Sequence, residues 1–218
     1  MARKLAIKLR KFGRICPITG YKEESIRVGA SVIVKTDRGE EFGQIVAYTR
    51  GLPHAISRDV RLKKVLRYAT DDDIAISESL KDKEDEALVL GVRKVKEYEL
   101  PVRLINTEYV FDKSKVIFYY KVEEGKRLPN LRELGKDLAK ALGTKVDLKQ
   151  VSPRDEARIF GGLGPCGRPL CCATWLEKPK HVTVKMVKEQ GLQISPLRTS
   201  GLCGRLMCCI QYEHEKKQ

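Results

Sequence analysis

One short phrase, written twice, limits what this chain can become. Cys166-Gly167-Arg168-Pro169-Leu170-Cys171-Cys172 returns 37 residues later as Cys203-Gly204-Arg205-Leu206-Met207-Cys208-Cys209. Both copies read C-G-R-x-x-C-C, each has a glycine two residues upstream (Gly164, Gly201), and together they hold six of the seven cysteines. A thiolate binds soft and borderline metals far better than a thiol does, and a nearby cation favours the thiolate. Arg168 and Arg205 stand two residues past a cysteine in each copy and are the candidates for that supporting charge. The glycines let backbone N–H groups turn toward sulfur.

Two arrangements are open from the residues alone. Adjacent cysteines point different ways on a strand or a helix, so Cys171 and Cys172 are not expected on one ion, nor are Cys208 and Cys209. In the first arrangement Cys166, Cys171, Cys203 and Cys208 form a four-thiolate zinc site, and Cys172 and Cys209 pack in the core. In the second, the six serve iron–sulfur chemistry, where four thiolates hold one cluster. Six cannot complete two clusters, so a second needs ligands from another chain, which invites a homodimer or a heteromer. A sensor built on vicinal thiols is a third reading, but the chain has no C-x-x-C redox spacing. Cys16 stands apart and reads as a small buried hydrophobe.

No run of about 18 apolar residues exists, so no membrane-inserted helix is expected. The basic N-terminus lacks the apolar segment of a secretory signal. A cytoplasmic chain is therefore expected, where clustered thiols stay reduced and serve metal or redox work more often than disulfides. The net charge of +14 is uneven: residues 1–70 carry 16 Lys and Arg against 6 Asp and Glu, whereas residues 71–150 carry 16 against 17. A basic N-terminal region fits phosphate, and Lys4, Lys8, Arg10, Lys11 and Arg14 are its candidate nucleic-acid or partner contacts. The plainer alternative is a solvated lysine-rich surface.

Along the chain the patterning predicts an α+β protein in three parts. Residues 1–61 read as a small basic β-module, with a strand over 3–10 and a hairpin of 31–36 with 41–48 turning at Gly39. Residues 62–152 read as a ferredoxin-like βαββαβ sandwich: strands over 62–68, 102–111, 116–122 and around Val146 and Leu148, with two helices between them. Thr70 caps the first helix, ahead of Asp71, Asp72 and Asp73, and Asn130 with Glu133 opens the second as a capping box. Residues 153–218 form the cysteine-repeat module, with a short helix over 181–190 and a frayed charged tail over 213–218. His54, His181 and His214 are scattered, and no P-loop or G-x-S-x-G occurs, so no catalytic constellation is expected. Trp175 and Tyr212, just past the two phrases, read as packing anchors.

The runs GGLGPCGRPLCCATWL, VTVKMVKEQGLQISP and SGLCGRLMCCIQYE resemble the bacterial RicT (YaaT) family, whose cysteine-bearing domain is shared with a yeast polymerase-suppressor protein. RDEARIFGG, EYVFDKSKVIFYY and RGEEFGQIV extend the resemblance over nearly the whole chain. It implies a non-catalytic protein acting with two small helical partners, RicA and RicF, in a complex that carries iron–sulfur clusters of the 4Fe-4S kind. That complex assists RNase Y in maturing and turning over messenger RNA, and in endospore formers promotes sporulation, competence and biofilm development. Carried onto this chain, the cluster-ligand role falls on Cys166, Cys171, Cys172, Cys203, Cys208 and Cys209, with zinc as the alternative metal.

Overall fold

A computed structural model describes residues 5–9, 15–19, 27–36, 39–47, 63–174, 176 and 179–216. Five strands close the N-terminal barrel: β1 (Leu5–Leu9), β2 (Ile15–Thr19), β3 (Ser31–Thr36), β4 (Gly39–Ala47) and β5 (Lys63–Tyr68), in the order β1-β2-β5-β3-β4. Ile7, Leu9, Val32, Val34 and Ile45 fill its interior, and Gly39 takes the positive φ of 119° that the hairpin needs. Ile33, Phe42 and Arg67 share its outer face, because Ile33 pairs with Phe42 on one side and Arg67 on the other. That face meets the rest of the molecule: Phe42 stacks on Phe111, ring centroids 6.2 Å apart.

The α+β class holds, but β5 corrects the ferredoxin-like topology. It pairs in parallel with β2 and antiparallel with β3, so it belongs to the barrel, not to the central sheet. The physical reason is edge closure: without β5, β2 and β3 would both offer unpaired backbone groups. The central sheet has three strands, β6 (Val102–Tyr109), β7 (Lys115–Val122) and β8 (Lys145–Gln150), in that order. In a split βαβ the first strand would lie between the last two. Here β8 lies directly beside β7, in parallel.

Helices α1 (Asp71–Glu97) and α2 (Arg132–Leu142) cover one face of this sheet, around Phe118, Leu104, Leu134 and Leu138. Gly91 allows the close approach of α1, since a Cβ there would stand 2.6 Å from Leu104 Cδ1 and 2.8 Å from Phe118 Cε1. The second capping box does not form. Leu131 is the N-cap of α2, and Asn130 Oδ1 instead accepts from Arg132 N at 3.1 Å, leaving Glu133 an exposed partner for Lys136. Gly143 ends α2 in the left-handed conformation, as its position predicts.

The cap at Thr70 does form, and it ties the barrel to α1. Asp73 N donates to Thr70 Oγ1 at 3.3 Å, and Thr70 N donates to the Asp73 carboxylate at 2.9 Å. Arg67, from β5, donates through both terminal nitrogens to the same carboxylate. The Arg67 hydrogen bond, followed by the Thr70 N–H, holds Asp73 well below the usual carboxylate range. A depressed carboxylate contributes stability above its unfolded-state value, and that contribution is lost as pH falls through the folded value. Asp73→Asn should therefore lower Tm at pH 7, with the gap to wild type shrinking as pH drops below about 4. Equal gaps at pH 7 and pH 3 would contradict this assignment.

After β8 the chain forms α3 (Pro153–Phe160), a helix the sequence reading left without structure. Ser152 caps it, accepting from Asp155 N, and Pro153 fills its first turn. Glu156 anchors α3 to the sheet through Arg103 at 2.8 Å and Lys121 at 3.1 Å, while Ile159 packs with Ile117 and Tyr119 on the sheet's second face. The cysteine module follows with α4 (Val184–Glu189), α5 (Pro196–Thr199) and α6 (Cys208–Lys216). The expected frayed tail is helical through Lys216, held by Val187 against Ile210 and by His214 Nε2 at 2.7 Å from Glu189 Oε2. No helix among the described residues is long and apolar enough to cross a membrane.

Candidate metal centre

The two phrases fold into matching hairpins. Gly164 N donates to Arg168 O at 2.8 Å and Gly167 N to Gly164 O at 2.9 Å; Gly201, Arg205 and Gly204 repeat both bonds at the same lengths. Gly167 and Gly204 each sit at φ 72°, the left-handed position that closes a three-residue loop. Cys166 and Cys203 therefore occupy equivalent loop positions. Their sulfurs hang over the upstream glycines, 3.5 and 3.7 Å from where a Cβ would stand on Gly164 and Gly201. Cys171 and Cys172 follow in a turn in which Leu170 O accepts from Ala173 N and Thr174 N, and Cys208 and Cys209 open α6.

The hairpins meet. All six cysteines line one cavity of about 50 Å³, together with Ala157, Leu170, Leu206 and Met207. Among the described residues, Arg168 is the only charged one on its wall, and neither carboxylate nor imidazole lines it. Cys172 is buried, Cys171, Cys203, Cys208 and Cys209 are half-buried, and Cys166 is exposed. Burial is the largest influence on four of these thiols. It pushes Cys171, Cys172 and Cys209 up, and Cys208 up to about 11.

Cys172 packs in one cluster with Cys203, so the two phrases meet through cysteines of both copies.

Among the described residues, no three His, Cys, Asp or Glu side chains are grouped to hold a metal ion as they stand. Loading would require the thiols to lose their protons. The donor chemistry still fits a thiophilic metal, because six cysteines share an apolar pocket with no carboxylate among its described lining residues.

Arg168 and Arg205 are both exposed; of the two, Arg168 reaches the cavity wall, where its charge favours the Cys171 thiolate against burial. Arg154 and Arg158 of α3 act on Cys172, and Arg154 also on Cys208, lowering thiols that burial raises. The signal for these two was the S-P-x-D start of α3, which fixes a helix register. His181 is exposed, and His214 is engaged by Glu189. Tyr212 is half-buried on α6, whereas Trp175 and His54 lie outside the described residues. Lys8 is exposed on β1; Lys4, Arg10, Lys11 and Arg14 lie outside the described residues, and Cys16 is placed only by its pairing with Ile7.

The model for the PSP1 C-terminal conserved region matches residues 63–151, and that for the third domain of PSP1-like proteins matches residues 181–217. The chain is 40% identical to the "Stage 0 sporulation protein YaaT" of Bacillus subtilis (strain 168), over 99% of its own length and 77% of that protein's. It is 26% identical to an uncharacterised protein of Schizosaccharomyces pombe, over 59% of its own length and 20% of that protein's. No solved structure matches. Identity sustained from the barrel through both cysteine phrases means that this chain belongs to the YaaT (RicT) family.

Proposed function

We propose that this chain is a non-catalytic adaptor that holds a thiolate-bound metal centre and works in a sporulation-related pathway of RNA processing. The convergence of both C-G-R-x-x-C-C phrases on one cavity is the observation that supports it best. Sporulation comes from the name of the Bacillus subtilis relative. The centre is an iron–sulfur cluster of the 4Fe-4S kind, held by Cys166, Cys171, Cys172, Cys203, Cys208 and Cys209 in subsets. Such a cluster would tie the two phrases together and order the module that a partner recognises. RicA-like and RicF-like chains are its proposed partners, and RNase Y the nuclease it assists.

A sensor acting through free thiolates is disfavoured, because burial holds four of the six as protonated thiols at neutral pH. A zinc-stabilised nucleic-acid-binding module is the second reading, favoured by Lys8, Lys35 and Lys64, all exposed on the barrel. Purification without oxygen, followed by iron, sulfide and zinc analysis, separates the two. A brown protein with iron and acid-labile sulfide is expected. A colourless protein with stoichiometric zinc, unchanged by anaerobic reconstitution, would transfer the assignment to the second reading.

A further inference from the structure

Among the described residues, three of the five most exposed large apolar side chains belong to the approach and rim of the cysteine cavity. They are Phe160 at 64%, Leu163 at 62% and Leu202 at 60%. Leu202 lines the cavity, and its Cδ2 lies 3.9 Å from where a Cβ would stand on Gly162, so the second hairpin leans on the approach to the first. Leu163 bridges to Pro169 on the cavity wall, and Phe160 ends α3 just ahead of the two glycines. Pro165, Cys166, Arg168 and Pro169 line the cavity and are exposed at the same time, as Leu202 is, which makes them its rim. Apolar surface gathered in this way from separate stretches of chain marks an interaction site, whereas apolar residues scattered singly do not.

The charge around the rim has one sign. Residues 160–176 and 195–212 contain Arg168, Arg198 and Arg205, all exposed, and no Asp or Glu. Of the carboxylates just outside, Asp155 is engaged by Arg158, and Glu156 by Arg103 and Lys121; Glu213 on α6 is the exposed exception. A second copy docking through the same patch would set arginine against arginine with no acid between them. Single-stranded nucleic acid uses a track of cations with aromatic rings for the bases, and the described rim has one arginine and no aromatic ring. The complementary surface is apolar at its centre and acidic around it.

We infer that the rim of the cysteine cavity is a docking surface for a protein partner that presents an acidic, apolar-faced segment. Leu163 and Leu202 are its anchors, and Arg168 and Arg205 pair with the partner's carboxylates. This inference rests on the adaptor part of the reading above and not on the metal.

The experiment uses the full chain under reducing conditions and a fluorescent peptide of about 18 residues, with Leu on one helical face and Glu on the other. A Leu-Lys peptide of the same pattern and a single-stranded RNA of similar length are the comparison probes, read by anisotropy, and sedimentation reads self-association. The acidic peptide should bind, less tightly as salt rises, and the basic peptide should bind at least about 10-fold more weakly. Leu163→Asp and Leu202→Asp should each weaken the acidic peptide about 10-fold or more, as loss of an anchor does. Arg168→Glu should weaken it and flatten its salt dependence. Val89→Asp, at an equally exposed position on α1, should match wild type. A wild-type chain that ignores the acidic peptide overturns the inference, as do unchanged affinities in both leucine variants. RNA binding that both leucine variants lose, or a dimer that Leu202→Asp dissociates, also overturns it and gives the surface to nucleic acid or to a second copy. Iron and sulfide measured on the same preparations keep the two readings apart. A chain that holds its iron but no peptide loses only this inference, and one that binds the peptide without metal loses only the metal centre.

Discussion

Cys208→Ser, prepared without oxygen, should bind a thiophilic metal more than about 100-fold more weakly than wild type if the six cysteines are the proposed donors, exceeding the loss from any change that spares the ligands. Cys208 lines the cavity that the two phrases share, and burial there pushes its thiol up to about 11. Serine preserves its size and its place at the start of α6, but a neutral hydroxyl is a poor donor to a thiophilic ion. Loss of metal should therefore occur without loss of fold, and the metal-free Tm should stay close to wild type. Inductively coupled plasma analysis beside a melting curve checks both. Full metal content in the variant would remove Cys208 from the ligand set.

The second large effect concerns the scaffold. Phe118→Ala should destabilise the chain by about 3–5 kcal/mol, lowering Tm by roughly 10 °C for a protein of this size. Phe118 is wholly buried on the middle strand, between α1 and α2, and its ring edge faces the bare backbone of Gly91. No neighbour there can collapse far into the space, because α1 already lies as near the sheet as a glycine permits. Val89→Ala on the same helix removes a side chain that is 62% exposed and should change stability by less than about 0.5 kcal/mol. Urea melts of the two variants provide the comparison, and similar midpoints would contradict the core assignment.

Local elements were legible where a pattern and a stop signal coincided. Thr70 with three aspartates marked α1, Gly143 marked the end of α2, and Gly39 marked the barrel hairpin. Sheet membership was not legible. The run KKVLRY is a strand under any reading, but whether it completes a barrel or a four-stranded sheet depends on partners distant in sequence. The helix α3 carried no periodic signal although Ser152 and Pro153 announced it, because its eight residues are half charged and too few for an apolar stripe to repeat. Missing α3 also hid Arg154 and Arg158. For the cysteines, repetition marked the six sulfurs, and the hairpins that bring them together followed from glycines at the same offsets. That both sets meet on one cavity could not be read, since it depends on how the hairpins face each other.

That shared cavity has a consequence for inheritance. Each repeat supplies three of the six cysteines on its wall, so neither copy is a self-sufficient module. A shortened chain ending between the repeats would keep half of the sulfurs and leave the cavity open on one side. Drift in either copy would damage the same wall, which binds the two phrases to a common evolutionary fate.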